Sequence, residues 1–437
     1  MSASELIIEP KKGLKGRVQV PGDKSISHRA IMLGSLANGT TRIKGFLMGE
    51  DCLSTIRCFQ EMGVAVEINQ DTVIVHGKGL HGLSEPQDVL NVGNSGTTIR
   101  LISGILAGQN FTSVVTGDAS IRKRPMGRVT APLKEMGAKI LGRQEGELAP
   151  LTISGGSLKP ISYKTPVASA QIKSSILLAG LFTDVWTEVI EPEKSRDHSE
   201  RMLKYFGAEV DVDGLAVRIK GQPTLTAKEV QVPGDISSAA FLLVAGAIVP
   251  DSRVVIKDVG INPTRTGIID VLKEMGAKVT LENEADTGES LGDLIVDTSS
   301  LKGIKFGGQI IPRLVDEIPI IAVAAACAEG VTEIRDAAEL KVKESNRIEA
   351  ICQGLQKMGV DIEELPDGLR INGGKSIKGG VTLDSQGDHR IAMALAVAGL
   401  VADKGITIKN AESIDVSFPG FKDLLDTLSD SNREDIF

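Results

Sequence analysis

A segment that joins the end of a helix to the start of a strand recurs five times in this sequence. Each copy reads apolar-x-x-Met/Phe-Gly-apolar, and the copies span residues 59–64, 133–138, 203–208, 272–277 and 355–360. Glycine just past the last helical residue adopts a left-handed conformation at low cost, so each copy predicts a helix, a glycine stop and a strand. The glycines are roughly 70 to 85 residues apart, which is too far for a solenoid and fits a small α/β module used several times.

The repeat also predicts a sixth module and a division of the chain into two lobes. The segment 421–428 predicts a C-terminal helix whose module would take its strands from residues 5–20. Two similar loops, Val-Pro-Gly-Asp at 20–23 and again at 232–235, are about three repeat periods apart. We therefore predict an α/β fold with an N-terminal lobe of residues 21–233 and a C-terminal lobe of residues 1–20 plus 234–437. Hinge crossovers near 20–23 and 232–235 would join them, with a ligand cleft between the lobes.

Composition narrows the class of function. The net charge of −8 disfavours a nucleic-acid partner. The longest uncharged runs are too short for a membrane span, and the N-terminus lacks the pattern of a signal peptide. Four cysteines occur without a Cys-x-x-Cys pair or a nearby histidine, which favours a reduced cytoplasmic protein over a zinc-bearing or disulfide-bonded one.

The first of the two loops predicts an anion site. It leads from a Pro-Gly turn into Lys24, Ser25 and Arg29, and an apolar helical run follows at once. Free backbone N–H groups at a helix start attract phosphate or carboxylate, and the side chains add a point charge, a hydroxyl and a planar fork. The alternative is a capped helix with ordinary solvated basic residues.

Other polar motifs also stand at predicted helix starts. Four of them contain glycines, hydroxyls, an amide or arginines, at 91–100, 117–128, 169–174 and 195–201. The small residues at 91–100 predict a second anion site, and the sequence there is not a Walker A loop. Simple capping, or a solvated basic face, is the competing interpretation of each motif.

The C-terminal half supplies carboxylates among cations. Asp316 precedes an Ala-rich helical run and suits a general base if it is desolvated, although an N-cap role is equally common. Glu344 lies between Lys343 and Arg347, a setting that favours an ionised carboxylate, with ordinary helix pairing as the alternative. Arg390 stands at another helix start. Together these residues predict a cleft that holds two anionic ligands beside one or two acid–base carboxylates.

Eight of these motifs, in order along nearly the whole chain, resemble the 5-enolpyruvylshikimate-3-phosphate synthase family. They are PGDKSISHRA, GNSGTTIRL, RPMGR, SAQIKS, SRDHSERM, the Asp316 loop, KESNR and DHRIAMA. The resemblance implies an inside-out, barrel-like fold of two lobes, each with three βαβαββ units. It implies transfer of the enolpyruvyl group of phosphoenolpyruvate to the 5-hydroxyl of shikimate 3-phosphate on the route to chorismate and aromatic amino acids. It further implies a cytoplasmic monomer that uses no metal or organic cofactor.

The same resemblance implies roles for individual residues. Those matching the phosphoenolpyruvate contacts are Lys24, Gly96, Arg124, Gln171, Arg347 and Arg390. Those matching the shikimate 3-phosphate contacts are Lys24, Ser25, Arg29, Ser169, Ala170 through its backbone, Gln171, Arg196, Asp316 and Lys343. Asp316 matches the acceptor of the 5-hydroxyl proton, Glu344 matches the acid that protonates the methylene carbon, and Lys24 completes the catalytic set.

Two positions bear on how closely the family pattern is followed. Many relatives have a lysine before the C-terminal Ser/Thr-Phe-Pro, whereas Val416 stands here, so that contact is expected to be missing or to be supplied elsewhere, by Lys343 or Arg128. The motif spellings resemble a divergent bacterial branch that includes herbicide-tolerant members. Gly96 stands where tolerant relatives can carry alanine, so we expect glyphosate to inhibit in competition with phosphoenolpyruvate.

Two alternatives compete with this interpretation. UDP-N-acetylglucosamine enolpyruvyl transferase shares the architecture but carries a cysteine in a loop that matches 118–128, where this chain has none. A non-catalytic scaffold that binds anionic metabolites would need Lys24 and Arg124 but neither Asp316 nor Glu344.

Overall fold

The five recurring glycines end helices in the computed structural model, which describes residues 5–286 and 288–429. Gly63, Gly137, Gly207, Gly276 and Gly359 all have positive φ angles, between 76° and 102°. Each follows a helix by two residues and leads into a strand. The predicted sequence of helix, glycine stop and strand is therefore confirmed.

The described residues form helices and strands in regular alternation. The helices are α1 (Lys24–Leu36), α2 (Glu50–Glu61), α3 (Gly96–Ala107), α4 (Gly127–Glu135), α5 (Ala170–Gly180), α6 (His198–Tyr205), α7 (Ile236–Ile248), α8 (Gly267–Glu274), α9 (Ile318–Cys327), α10 (Arg347–Lys357), α11 (His389–Gly399) and α12 (Phe421–Leu428). The strands are β1 (Glu5–Ile8), β2 (Lys15–Gln19), β3 (Asn38–Lys44), β4 (Ala65–Asn69), β5 (Thr72–Lys78), β6 (Leu90–Asn91), β7 (Thr112–Thr116), β8 (Lys139–Arg143), β9 (Leu148–Ser154), β10 (Ser162–Lys164), β11 (Trp186–Ile190), β12 (Val210–Asp213), β13 (Ala216–Lys220), β14 (Glu229–Gln231), β15 (Arg253–Gly260), β16 (Lys278–Asp286), β17 (Ser290–Asp297), β18 (Lys305–Phe306), β19 (Gly330–Ile334), β20 (Asp361–Leu365), β21 (Gly368–Gly373), β22 (Thr382–Asp384) and β23 (Ile406–Lys409).

The chain divides into two units. The N-terminal unit comprises residues 22–232 with Gly288 and Glu289, and the C-terminal unit comprises 5–21, 233–286 and 290–429. Pro21 and Pro233 fall in the C-terminal unit, one residue away from the boundaries expected from the sequence. The assignment of Gly288 and Glu289 has no signal in the sequence: it reflects contacts such as the 2.8 Å approach of Glu289 Oε1 to His198 Nδ1.

The N-terminal unit repeats one sheet three times around buried helices. Its sheets have the strand orders β14-β3-β5-β4, β6-β7-β9-β8 and β10-β11-β13-β12. In each sheet the first pair is parallel and the other two pairs are antiparallel. Helices α1, α3 and α5 are buried over most of their length and form the centre of the core. The helices therefore lie inside the sheets, and their N-termini carry three of the polar motifs.

The C-terminal unit has the same plan with one difference. Its sheets are β16-β17-β15-β2, β18-β19-β21-β20 and a three-stranded sheet, β1-β23-β22. The sequence assigned both N-terminal strands to the sixth module, but only β1 joins it, whereas β2 pairs in parallel with β15. The uncharged runs of the sequence form α7 and α9, which pack with α11 at the centre of this core. Among the described residues, no helix combines the length and apolar character needed to cross a bilayer.

Substitutions of two leucines in the N-terminal unit test how much the buried central helices contribute to its free energy of unfolding. Leu106 on α3 is fully buried, whereas Leu141 on β8 is 72% exposed. We expect Leu106→Ala to lower the free energy of unfolding by roughly 2–5 kcal/mol, because it removes buried methyl groups and leaves a cavity. Leu141→Ala, the matched control, should change it by no more than about 0.5 kcal/mol. Urea unfolding measures both, and equal effects would contradict the inside position of α3.

Candidate active site

Helix α1 begins at the first loop, and its first residue forms an ion pair. Asp23 caps the helix by accepting a hydrogen bond from Ile26 N at 2.9 Å. Lys24 Nζ lies 3.3 Å from Asp51 Oδ2, at the start of α2. Burial acts to raise the pKa of Asp51, but the charge of Lys24 and its hydrogen bond outweigh burial, so the pKa lies below its ordinary value. Lys24 is thus held in place as a cation at the predicted anion site.

Arg29 is a buried cation held by uncharged oxygen atoms. Its Nε donates to Ser199 Oγ at 2.7 Å, its Nη2 to Ser174 Oγ at 2.8 Å and its Nη1 to Ser25 O at 2.9 Å. Burial lowers the pKa of Arg29 to about 10; the charges of Glu200, Asp23 and Glu289 act to raise it, and the charge of Arg196 acts in the same direction as burial. A guanidinium bound to hydroxyl and carbonyl groups keeps its attraction for an anion.

A second cationic cluster surrounds the start of α3. Arg124 Nη2 donates to Asn94 Oδ1 at 2.7 Å, and a Cβ atom on Gly96 would lie 3.0 Å from Arg124 Nη1 and 2.8 Å from Arg100 Nη1. Arg100 Nη1 also donates to Gly96 O at 3.2 Å and to Gln171 Oε1 at 3.1 Å. Burial lowers the pKa of Arg100 to about 10, and the charges of Arg124 and Arg128 add to that effect. The close packing explains why a residue without a side chain suits position 96.

Three more of the predicted site residues lie at the start of helix α5. Ser169 is the N-cap residue of α5, and Ala170 is its first residue. Gln171 Nε2 donates to Thr97 Oγ1 at 3.2 Å, so Gln171 links α5 to α3. Arg196 lies on the segment between β11 and α6, near enough to Arg29 to influence its pKa.

In the C-terminal unit, Arg347 gathers three carboxylates. The side chain of Arg347 is 1% exposed, and its Nη1, Nη2 and Nε lie 3.2 Å from Asp316 Oδ1, 2.6 Å from Glu344 Oε2 and 2.8 Å from Asp388 Oδ2. Burial acts to lower the pKa of Arg347, but Glu344, Asp388 and Asp316 together raise it above its ordinary value. One guanidinium therefore fixes both predicted acid–base residues.

Two more cations stand beside Asp316. Lys343 Nζ lies 3.9 Å from Asp316 Oδ1 and 2.8 Å from Glu339 Oε1. Arg390, in the first turn of α11, donates from Nη1 to Asp316 O at 3.4 Å and lies 3.8 Å from Glu317 Oε1. Asp388 caps the same helix through Arg390 N, so it holds both arginines of this cluster.

The structure shows that several predicted residues of each unit contact one another: Arg29 donates to Ser25 O, and Arg347 contacts Asp316 and Glu344. It also adds three that the sequence did not single out: Asp51, Arg100 and Asp388. Arg100 had a signal, since it stands one helical turn after Gly96, whereas nothing near Asp51 in the sequence indicates its contact with Lys24. Helix α4 begins at Gly127, with Met126 as its N-cap, two residues after Pro125. Val416 ends a short 3-10 helix and is half exposed.

Comparison with known proteins agrees with this fold. The chain matches the family EPSP synthase (3-phosphoshikimate 1-carboxyvinyltransferase) over residues 8–425. It is 60% identical to the 3-phosphoshikimate 1-carboxyvinyltransferase of Pelotomaculum thermopropionicum, covering 96% of this chain and 98% of the relative, and 58% identical to that of Bacillus subtilis, covering 95% and 97%. The solved EPSP synthase of Acinetobacter baumannii superposes with a TM-score of 0.91 at 48% identity, covering 97% of this chain and 98% of that one. The enolpyruvyl transferase NikO from Streptomyces tendae shares the fold, with a TM-score of 0.78 at 18% identity over 98% of both chains.

The chain therefore belongs to the EPSP synthase family. Its reaction is the transfer of the enolpyruvyl group of phosphoenolpyruvate to shikimate 3-phosphate, a step of the shikimate pathway to aromatic amino acids. The resemblance read from the motifs is confirmed, and so is the α/β fold class.

A buried histidine lies behind the first loop. His28 Nδ1 lies 2.7 Å from Thr55 Oγ1, which lies 2.8 Å from Thr98 Oγ1, and Thr98 Oγ1 donates to Ser95 Oγ at 2.6 Å. This chain of side chains joins α1 to the N-cap of α3. Burial lowers the pKa of His28 from its ordinary value of 6.5 to about 3, so the imidazole is neutral at neutral pH.

The lowered pKa of His28 predicts that the folded protein loses stability in acid. Unfolding exposes an imidazole that binds a proton below about pH 6.5, whereas the folded protein resists protonation down to about pH 3, so stability falls as the pH falls through that window. We expect His28→Gln to flatten this fall relative to the unaltered protein in urea titrations. The control is the exposed His81, whose hydrogen-bond partner Gln222 is uncharged, changed to glutamine. Equal slopes for all three proteins would contradict a neutral, buried His28.

Proposed function

We propose that the two units divide the work of the reaction. The N-terminal unit would bind most of the negative charge of both substrates, and the C-terminal unit would supply the acid–base groups. What carries this proposal is the contrast between the two clusters: Arg29 is bonded to neutral oxygens, whereas Arg347 is bonded to three carboxylates.

The shikimate 3-phosphate site would form around Arg29. Ser25, Ser169 and Arg196 offer hydroxyls and a second guanidinium, and Ala170 offers its backbone at the start of α5. Lys343 and Asp316 are the contacts with shikimate 3-phosphate that we propose for the C-terminal unit. Two guanidinium groups near each other repel, and a phosphate between them removes that repulsion, which makes binding favourable.

The phosphoenolpyruvate site would form around Arg124 and Lys24. Gly96 would let the ligand approach the backbone of α3, and Gln171 would contact both substrates. Arg347 and Arg390 complete the set in the C-terminal unit. Two cations are candidates for the role of the lysine that many relatives carry where Val416 stands. Lys343 has the direct ion pair with Asp316, and Arg128 stands near Arg100.

In the proposed chemistry, Glu344 donates a proton to the methylene carbon of phosphoenolpyruvate. The 5-hydroxyl oxygen then attacks the neighbouring cationic carbon, and Asp316 accepts the hydroxyl proton. The methyl group of the tetrahedral adduct next returns a proton to Glu344, the C–O bond to phosphate breaks, and the proton on Asp316 leaves with the phosphate. Arg347 holds both carboxyl groups in place.

We also propose that the enzyme acts as a cytoplasmic monomer, without metal or organic cofactor, and that glyphosate occupies the phosphoenolpyruvate site. The monomer is supported by the presence of every proposed residue within one chain. The glyphosate proposal is supported by Gly96, since the space in front of α3 is bounded by the guanidinium groups of Arg100 and Arg124.

The proposed acid can be tested by phosphate release from phosphoenolpyruvate. Release should occur with shikimate 3-phosphate as acceptor and not with UDP-N-acetylglucosamine. We expect Glu344→Gln to lower kcat by about 10²-fold or more, because general acid catalysis is lost, while phosphoenolpyruvate still binds. Glu284→Gln, an exposed site on β16, is the control and should keep full activity. Full activity of Glu344→Gln would refute the assignment, and release only with the nucleotide sugar would refute the choice of acceptor.

Glyphosate should compete with phosphoenolpyruvate in the same assay. We expect Gly96→Ala to weaken glyphosate by about tenfold or more, and phosphoenolpyruvate by less, because the added methyl group must displace two guanidinium groups. Gly156→Ala is a matched control, because a Cβ atom there would meet no atom within 4 Å. Inhibition that does not compete, or that stays weak until Gly96 is altered, would contradict the proposal.

A further inference from the structure

One lysine of the N-terminal unit is buried, and it lies on α5 just after the proposed substrate contacts. Lys173 is 1% exposed, and its Nζ lies 2.7 Å from Glu191 Oε2 and 2.7 Å from Glu200 Oε1. Its backbone N–H donates to Ser169 O at 3.1 Å. A buried lysine with two carboxylate partners is costly to desolvate, so its geometry is held tightly.

The two carboxylates stand at the two ends of one chain segment. Glu191 directly follows β11, and Glu200 lies in the first turn of α6. Glu191 is bonded a second time from within the segment, since Ser195 Oγ donates to its Oε1. Lys173 therefore fixes the start and the end of residues 191–200, and Ser195 fixes the middle.

This segment carries Arg196 of the proposed shikimate 3-phosphate site and Ser199, a hydrogen-bond partner of Arg29 in that site. Arg196 directly follows the anchored Ser195. Ser199 directly precedes the anchored Glu200, and its hydroxyl accepts from Arg29 Nε at 2.7 Å. Ser195 is therefore the sequence neighbour of Arg196, and Glu200 is the sequence neighbour of Ser199, which binds the guanidinium of Arg29.

The contacts of Lys173 with two carboxylates make this lysine hard to replace. One ammonium faces two carboxylates, and burial raises the pKa of Glu200 despite the attraction of Lys173. The two glutamates in turn raise the pKa of Lys173, against the effect of its burial. Without the lysine, the two carboxylates would repel each other and push the ends of the segment apart.

We propose that Lys173 is a positioning residue for shikimate 3-phosphate: by clamping Glu191 and Glu200 it sets where Arg196 and, through Ser199, Arg29 meet the substrate. This inference rests on the proposed assignment of Arg196 and Arg29 to that substrate. Lys173 itself does not touch the reacting atoms.

Three variants of the full-length enzyme test the clamp. Lys173→Met removes the charge at similar volume, Ser195→Ala loosens only the middle of the segment, and Arg196→Met tests the binding site itself. Ser35→Ala is the matched control for Ser195→Ala, because Ser35 is also buried and makes one hydrogen bond, to Ile31 O at 2.7 Å on α1. The readouts are kcat and the KM of each substrate from phosphate release, with the urea midpoint measured alongside.

We expect Lys173→Met to raise the KM for shikimate 3-phosphate by about tenfold or more, while the KM for phosphoenolpyruvate stays within about twofold. Ser195→Ala should raise the same KM by about threefold, and Ser35→Ala should leave both values unchanged. A loss of stability alone would not separate the two substrates, so the split in KM identifies positioning.

The variants distinguish a failure of the proposed binding site from a failure of the proposed role of Lys173. If Arg196→Met leaves the KM for shikimate 3-phosphate unchanged, the proposed binding site is wrong. If Arg196→Met raises that KM but Lys173→Met and Ser195→Ala do not, or if both substrates are affected equally, the positioning role of Lys173 is wrong. Should Lys173→Met fail to fold, the result for Ser195→Ala decides the question.

Discussion

The first turn of an α-helix has backbone N–H groups without partners inside the helix, and this constraint governs where the polar residues of the protein lie. The central helices of both units are buried, so their N-termini must be satisfied locally. Asp23, Ser95, Asp235 and Asp388 do this for α1, α3, α7 and α11. The helix ends that need polar partners are also the ends that attract anions, which places the chemistry there.

The two units differ in the charge of the groups that surround their arginines. In the N-terminal unit, Arg29 and Arg124 donate to hydroxyl, amide and carbonyl oxygens, so their positive charge stays available to a ligand. In the C-terminal unit, Arg347 is enclosed by Asp316, Glu344 and Asp388. A reaction that joins two anionic substrates needs strong cations for binding and carboxyl groups for moving protons, and preorganised groups avoid reorganisation during the reaction.

Buried ion clusters also connect residues that are far apart in the chain. Arg347 connects the start of α9 with the start of α11, and Lys173 connects α5 with both ends of the segment before α6. Removing one partner from such a cluster leaves an uncompensated buried charge, which is far more costly than removing an exposed pair. These clusters therefore fix the relative positions of the side chains more firmly than surface ion pairs do.

The sequence by itself indicated the repeated module, its approximate number of copies and several of the helix starts. The five glycines required a left-handed residue after each helix, and the loops at Lys24, Gly96, Asp316 and Arg390 carried local capping and anion-binding patterns. Such signals are local, because backbone conformation and capping involve residues only a few positions apart. The eight ordered motifs were sufficient to indicate the family, and through it the reaction.

Only the tertiary structure decided the partners of these residues. Nothing in the sequence pairs Lys24 with Asp51, Lys173 with Glu191, or β2 with β15 rather than with the sixth module. Those choices depend on which surfaces are buried together, and burial depends on packing over the whole unit rather than on neighbouring residues. Local sequence therefore indicated where several of the helices begin and end, and packing decided which charges meet.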